Sequence, residues 1–186
     1  MSPIIVIATS AGGLGPLLQI VEALPSTCRA SVFIVQHIGT HQSSLPDILA
    51  HRGSLPAVFG RHGAVIERGH IYVAPPDRHM RLRFGSILLD RGIKVHFARP
   101  AADPLFISAA EAYGERVVGI VLSGANSDGA EGMRAITAHG GLGLVQDPGE
   151  AEFPDMPLAA VKRDHPAALL TSDRLAERVA TICVGR

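Results

Sequence analysis

Residues 4–13 read IIVIATSAGG, a run of β-branched apolar side chains that stops abruptly at Ser10-Ala11-Gly12-Gly13. Isoleucine and valine in succession, with no polar alternation, specify a strand buried on both faces. The small residues after it let the chain turn sharply and let another group approach the backbone closely. Residues 14–24, LGPLLQIVEAL, then carry apolar side chains at helical spacing, with Pro16 tolerated in the first turn. A buried strand feeding a helix through a small-residue corner is the opening of an α/β unit.

The same rhythm recurs along the chain. SVFIVQ (31–36) is a second buried strand, followed by a loop over 37–43 and a helix over 44–52. RVVGIVLS (116–123) and GLGLVQ (141–146) read as further strands, with helices expected at 103–113, 130–138 and 173–182. Residues 57–90 differ: HIYVAPP, HMRLRFG and SILLDRG are short strand-like pieces divided by turn residues, which predicts hairpins. The expected fold class is α/β, a doubly wound and mostly parallel sheet with helices on both faces and a short antiparallel hairpin insertion. The expected organisation is a single domain over 1–186, with the first strand starting too close to Met1 for an upstream regulatory domain.

Composition narrows the function. A chain of 186 residues with 47% hydrophobic content can bury a full core. Seventeen Lys and Arg balance seventeen Asp and Glu, so the basic field that nucleic-acid binding needs is lacking and no nucleic-acid partner is expected. Cys28 and Cys183 form no metal-ligand spacing and fit a reducing cytoplasm. The apolar run at 4–8 is too short for a signal sequence or a membrane span, so no membrane insertion is expected.

Parallel sheets place their sites beyond the carboxyl ends of the strands. Ser10 follows the first strand, His37 follows the second, and Asp128 lies five residues past Ser123. Each has a plain alternative. Ser10 can cap the next helix through its hydroxyl, or it can stand exposed at a tight strand-to-helix corner beside unpaired amides, as a nucleophile does. His37 is one of nine histidines, but it leaves a strand buried on both faces, unlike His51, His62 or His139. An unperturbed imidazole changes charge near neutrality, which suits such a group to proton transfer. Asp128 in SDGAEG has Glu131 three positions on, the pattern of a capping box; alternatively its carboxylate fixes an imidazole tautomer. Asp103 is expected to cap the helix that it precedes. SAGGLG (10–15) does not complete a dinucleotide fingerprint: Gly13 and Gly15 are correctly spaced but Leu18 stands at the third position. There is also no Walker lysine.

At these residues the sequence resembles the catalytic domain of the CheB-type chemotaxis protein-glutamate methylesterases. The motifs are IIVIATSAGGL, FIVQHIGTHQSSLPDIL, GHIYVAPPDRHM, RPAADPLF, VVGIVLSGANSDGAEGM and HGGLGLVQDPGEAEFPDMPLAAV, in that order up to residue 161. The resemblance implies a doubly wound serine hydrolase that demethylates glutamate γ-methyl esters on receptor cytoplasmic helices, with glutamine deamidation as a related activity. It implies Ser10 as nucleophile, His37 as base and Asp128 as orienting acid, with no metal or organic cofactor. Oxyanion donors are expected among the backbone amides of Ala11 and Gly12 or of Ala125, Asn126 and Ser127. Many relatives carry Gly at the position of Ala8 and Met-Gly-Asn where this chain has Ala125-Asn126-Ser127. Thr40, His41, Arg78, His79 and Arg99 are candidates for positioning substrate, with Arg78 or Arg99 facing acidic receptor helices or simply solvated. A separate receiver or signalling protein is an expected partner. A catalytically silent relative that binds a receptor or partner is the alternative; it requires Ser10 and His37 to be too far apart to bond.

Overall fold

The structure is a computed structural model and describes residues 2–37 and 43–185. Its centre is β1 (Ile4–Thr9), every residue of which is buried. Side chains alternate across a strand, and here each face of β1 meets its own core. Ile5 and Ile7 pack with α1 (Leu14–Ala23), α2 (Leu45–Arg52) and α6 (Ser172–Cys183). Ile4, Val6 and Ala8 pack with α3 (Ala102–Tyr113), α4 (Ala130–Ala138) and α5 (Asp155–Arg163). The unbroken apolar run at 4–8 is thus explained by helices on both sides.

Seven strands form one parallel sheet in the order β3-β4-β2-β1-β7-β8-β9. They are β2 (Ser31–Gln36), β3 (Ala57–Phe59), β4 (Ile71–Val73), β7 (Val117–Val121), β8 (Leu142–Gln146) and β9 (Ala168–Leu170), with β1. The chain winds outward from β1 through α1 to β2, and later returns to lay β7 on the other side of β1. The winding reverses between β1 and β7, and that reversal opens a crevice at the carboxyl ends of these strands.

The hairpin expectation for 57–90 holds only in part. His79–Arg83 (β5) and Ser86–Asp90 (β6) form an antiparallel pair. By contrast, β3 and β4 are parallel strands of the main sheet, because β4 registers directly on β2 with Val32 opposite Ile71. Pieces of three residues are too short to reveal which neighbour they join. Helix α5 and strand β9 were not foreseen either. No described helix is long and apolar enough to cross a membrane. Cys28 and Cys183, distant in sequence, are both free and buried in one core, where the neighbouring Cys28 thiol and burial push the Cys183 thiol up.

Candidate active site

Ser10 stands where the chain leaves the sheet. Its N–H donates to Ser123 O at 3.0 Å, and its carbonyl accepts from Gly13 N at 3.1 Å and from Gln36 Nε2 at 3.2 Å. These bonds close a tight turn that only small residues can make. Gly12 has φ +71°, and a methyl group there would come within 2.7 Å of Glu152 Cβ and 2.8 Å of Ser123 Oγ. Helix α1 begins after Gly13 with no side-chain cap bond. Ser10 is therefore not a helix cap: its hydroxyl lies 3.2 Å from His37 Nδ1.

His37 extends the β1–β2 pairing by one step, its N–H donating to Thr9 O at 3.1 Å. That backbone bond sets the ring beside Ser10. The other ring nitrogen, Nε2, is 2.7 Å from Asp128 Oδ2, and the two side chains are 12% and 0% exposed. A carboxylate only accepts hydrogen bonds, so the imidazole proton sits on Nε2 and the Nδ1 lone pair faces the Ser10 hydroxyl. Asn126 Nδ2 also approaches Nδ1, at 3.5 Å.

Asp128 makes no capping box. Helix α4 starts after Gly129 with no side-chain cap bond. The Asp128 carboxylate instead receives N–H bonds from Ala102 (2.6 Å) and Asp103 (3.0 Å) at the start of α3. Burial pushes its pKa up, but the His37 bond, the His37 charge and the two amides outweigh it and hold the carboxyl below its ordinary value. Asp103 likewise does not cap its own helix. It lies within the first turn of α3 and accepts from Gly132 N of α4 at 2.7 Å and from His96 Nε2 at 2.8 Å. Burial and the nearby Asp128 charge raise its pKa.

Residues 5–179 match the family model described as CheB methylesterase. The chain belongs to the CheB methylesterase family. It is 36% identical over 175 residues to a candidate protein-glutamate methylesterase/protein-glutamine glutaminase of Leptospira interrogans, covering 93% of this chain and 91% of that one. It is 37% identical over 163 residues to the protein-glutamate methylesterase/protein-glutamine glutaminase of Pyrococcus horikoshii, covering 85% of this chain and 44% of that one. The crystal structure of the Thermotoga maritima CheB methylesterase catalytic domain superposes with a TM-score of 0.92 at 26% identity, covering 98% of this chain and 99% of that one. The doubly wound fold expected from the sequence is the CheB fold.

Around this CheB-type crevice the remaining candidates divide. The amides of Ala11, Gly12, Ala125, Asn126 and Ser127 meet no acceptor among the described residues; Ala11 and Gly12 directly follow Ser10, and the Asn126 side chain approaches His37. Thr40 and His41 lie outside the described residues. Arg78 is half-buried in the turn before β5 and is not in the wall of the cleft beside His37. His79 is a correction: it is wholly buried, its Nε2 bonding Ile93 O at 2.9 Å and its Nδ1 accepting from Ala101 N at 3.3 Å. Such a ring ties two loops together and cannot face substrate. Arg99 does line the cleft of about 290 Å³ beside His37, but its guanidinium is held by Asp77 Oδ1 (2.6 Å) and Gly92 O (2.8 Å). It shapes the wall and lowers the Asp77 pKa through its hydrogen bond.

Two supports escaped the sequence reading. Ser123 Oγ donates to Ala11 O at 2.8 Å and accepts from Phe153 N at 2.9 Å, joining the Ser10 turn to the segment before α5. Its N–H bonds Gln146 Oε1 at 2.9 Å. A polar residue closing each of two apolar strands was the available signal. Gly124 is the second: a Cβ there would lie 2.8 Å from Ser10 Cβ and 2.0 Å from Met156 Sδ. His96, Asp103 and Asp128 also bring potential metal-ligand atoms within 4.8 Å of one another. The hydrogen bonds already described engage these groups, so the cluster is internally satisfied without a cation.

Proposed function

We propose that this protein is a serine hydrolase that removes methyl groups from glutamate γ-methyl esters on the cytoplasmic helices of chemoreceptor-like proteins. The observation that carries the reading is the continuous hydrogen-bonded line Ser10–His37–Asp128 at the switch point of the sheet. Ser10 Oγ attacks the ester carbonyl carbon as His37 Nδ1 takes its proton. Asp128 stays ionised, consistent with its lowered pKa, and steadies the imidazolium. The tetrahedral oxyanion is held by amides among Ala11, Gly12, Ala125, Asn126 and Ser127, each such donor being worth roughly 3 kcal/mol. The C–O bond to the methoxy group breaks and methanol leaves with the proton from His37. Water, deprotonated by the same nitrogen, then releases the glutamate carboxylate and restores Ser10.

Glutamine deamidation uses the same steps with ammonia as the leaving group, in keeping with the glutaminase part of the relatives' names. The chemistry calls for no cofactor. The setting we assign is the cytoplasm, with receptor helices and a separate receiver or signalling protein as partners. A silent binding module required Ser10 and His37 to stand apart, and a separation of 3.2 Å speaks against it.

The deciding experiment is methanol release from a methylated receptor fragment. Ser10→Ala is expected to lower it by about 10⁴–10⁶ while the protein stays folded. Release at the unaltered rate by the folded variant would overturn the assignment.

A further inference from the structure

Next to the first hydrogen-bonded line runs a second, built from the same three residue types. Ser127 Oγ lies 3.2 Å from His96 Nδ1, and His96 Nε2 lies 2.8 Å from Asp103 Oδ2. The nitrogens are used in the same order as in His37. Asp103 is buried and held by the Gly132 amide at 2.7 Å, so it fixes the His96 proton on Nε2 and turns the Nδ1 lone pair toward a hydroxyl.

The backbone carries strain to make this alignment. His96 (φ 48°) and Phe97 (φ 61°) both occupy the left-handed region, at the corner of a turn closed by bonds between Val95 and Ala98. Two adjacent non-glycine residues there are costly, and such placements persist where the surrounding structure imposes them. The turn points the imidazole back at α3.

Ser127, unlike Asp103, is exposed. It opens onto a cleft of about 420 Å³ between α4 and α5, with Ser127, His96, Lys162 and Arg163 in its wall. Arg163 is paired with Glu131 at 2.5 Å, whereas Lys162 has no ion pair among the described residues. At the start of α4 the amides of Gly129 and Glu131 meet no acceptor among the described residues. A hydroxyl, its imidazole base and a cation thus border one accessible space, with the orienting acid buried behind the imidazole.

We propose that Ser127 is a second nucleophile, with His96 as its base and Asp103 as its orienting acid, acting on small activated esters whose acyl chain ends in a carboxylate. Ser127 Oγ forms a bond to the ester carbonyl carbon while His96 Nδ1 takes the hydroxyl proton. The bond to the leaving oxygen breaks, that oxygen departs as the alcohol with the proton, and water then releases the acid from Ser127. Lys162 faces the terminal carboxylate of the acyl group.

The test uses the Ser10→Ala chain, in which the nucleophile of the methylesterase reading is gone, so its outcome is independent of methanol release. The chain is treated with mono-p-nitrophenyl glutarate, p-nitrophenol is followed by absorbance, and the acylated peptide is mapped by mass spectrometry. The expected result is a glutaryl group on the peptide containing Ser127 and a release rate that falls about 10²-fold in Ser10→Ala/Ser127→Ala and in Ser10→Ala/His96→Gln. Ser127→Ala keeps the backbone amide, so the loss reads the hydroxyl alone. Equal release with or without the Ser127 hydroxyl, or a rate indifferent to His96→Gln, overturns the proposal and leaves the Ser127–His96 bond a fastener for the turn. A fluorophosphonate added to the unaltered chain is a second measurement that needs no variant to fold. A phosphonyl group on Ser127 supports the proposal, and its absence from Ser127 overturns it whatever happens at Ser10.

Discussion

Asp128 and Asp103 hold each other's helices. Asp128, just before α4, takes the amides of Ala102 and Asp103 that open α3. Asp103, within the first turn of α3, takes the Gly132 amide near the start of α4. Neither helix has a cap from its own N-cap side chain. Each carboxylate also receives an imidazole, His37 on Asp128 and His96 on Asp103. Two buried like charges are thereby tolerated side by side, each against a helix N-terminus and a ring N–H.

The two carboxyls therefore contribute to stability with opposite dependence on pH. The folded Asp128 has a pKa below its unfolded value, so its contribution is present above the unfolded value, about 4. That contribution is lost as pH falls through the lower folded value. The folded Asp103 has a raised pKa, so folding disfavours its ionised form and its cost grows as pH rises through that window. Urea unfolding at pH 7, 5 and 3 checks this. The stability deficit of Asp128→Asn should shrink toward pH 3, whereas Asp103→Asn should gain on the unaltered protein as pH rises. Parallel trends for the two variants would contradict the opposed pKa directions.

Asp128→Asn also tests the tautomer. A carboxamide can present its N–H₂ to His37 Nε2 and drive the ring proton onto Nδ1, where it faces Ser10. The expected loss in kcat for ester hydrolysis is about 10⁴, with KM little changed. A variant retaining more than about a tenth of the activity would show that the carboxylate does not orient the ring.

The three strand-end residues were legible because each signal is local: a buried strand, a small-residue corner, and a titratable side chain at the sheet edge. What each carboxylate bonds was not. SDGAEG looks like a capping box, yet the amides that Asp128 reaches lie 26 and 25 residues away in sequence. No pattern within one helix can reveal a cap supplied by another. The parallel character of β3 and β4 was hidden for a related reason, since sheet neighbours are chosen by tertiary register. Helix α5 went unread, and with it the Phe153–Ser123 bond that ties its leading segment to the Ser10 turn.

The Ser10 corner makes a separate prediction about glycine. At Gly12, alanine would be forced to keep φ +71° and would meet Glu152 Cβ and Ser123 Oγ below 3 Å. The strain is on the order of 1–3 kcal/mol. Because Ser123 bonds Ala11 O, the displacement reaches Ser10. Gly12→Ala should lower kcat by about 10²-fold, the effect expected of a misplacement near 1 Å, and lower the unfolding midpoint. Gly15→Ala is the control, since a Cβ there meets nothing within 4 Å. Equal behaviour of the two variants would remove the steric explanation.

His79 distinguishes a buried tie from a substrate contact. Its ring joins Ile93 O to the Ala101 amide, and the side chain has no exposed surface. Removing it in His79→Ala leaves the buried Ala101 amide and the Ile93 carbonyl without this partner and opens a cavity. The expected cost is about 3 kcal/mol, a drop in midpoint of roughly 6–12 °C for a domain of this size. KM for a methylated receptor fragment, measured well below the new midpoint, should stay within about twofold, because uniform substrate binding is not lost. If KM rose tenfold with no change in midpoint, His79 would have to reach substrate, and its placement as a buried tie from β5 to the start of α3 would be wrong.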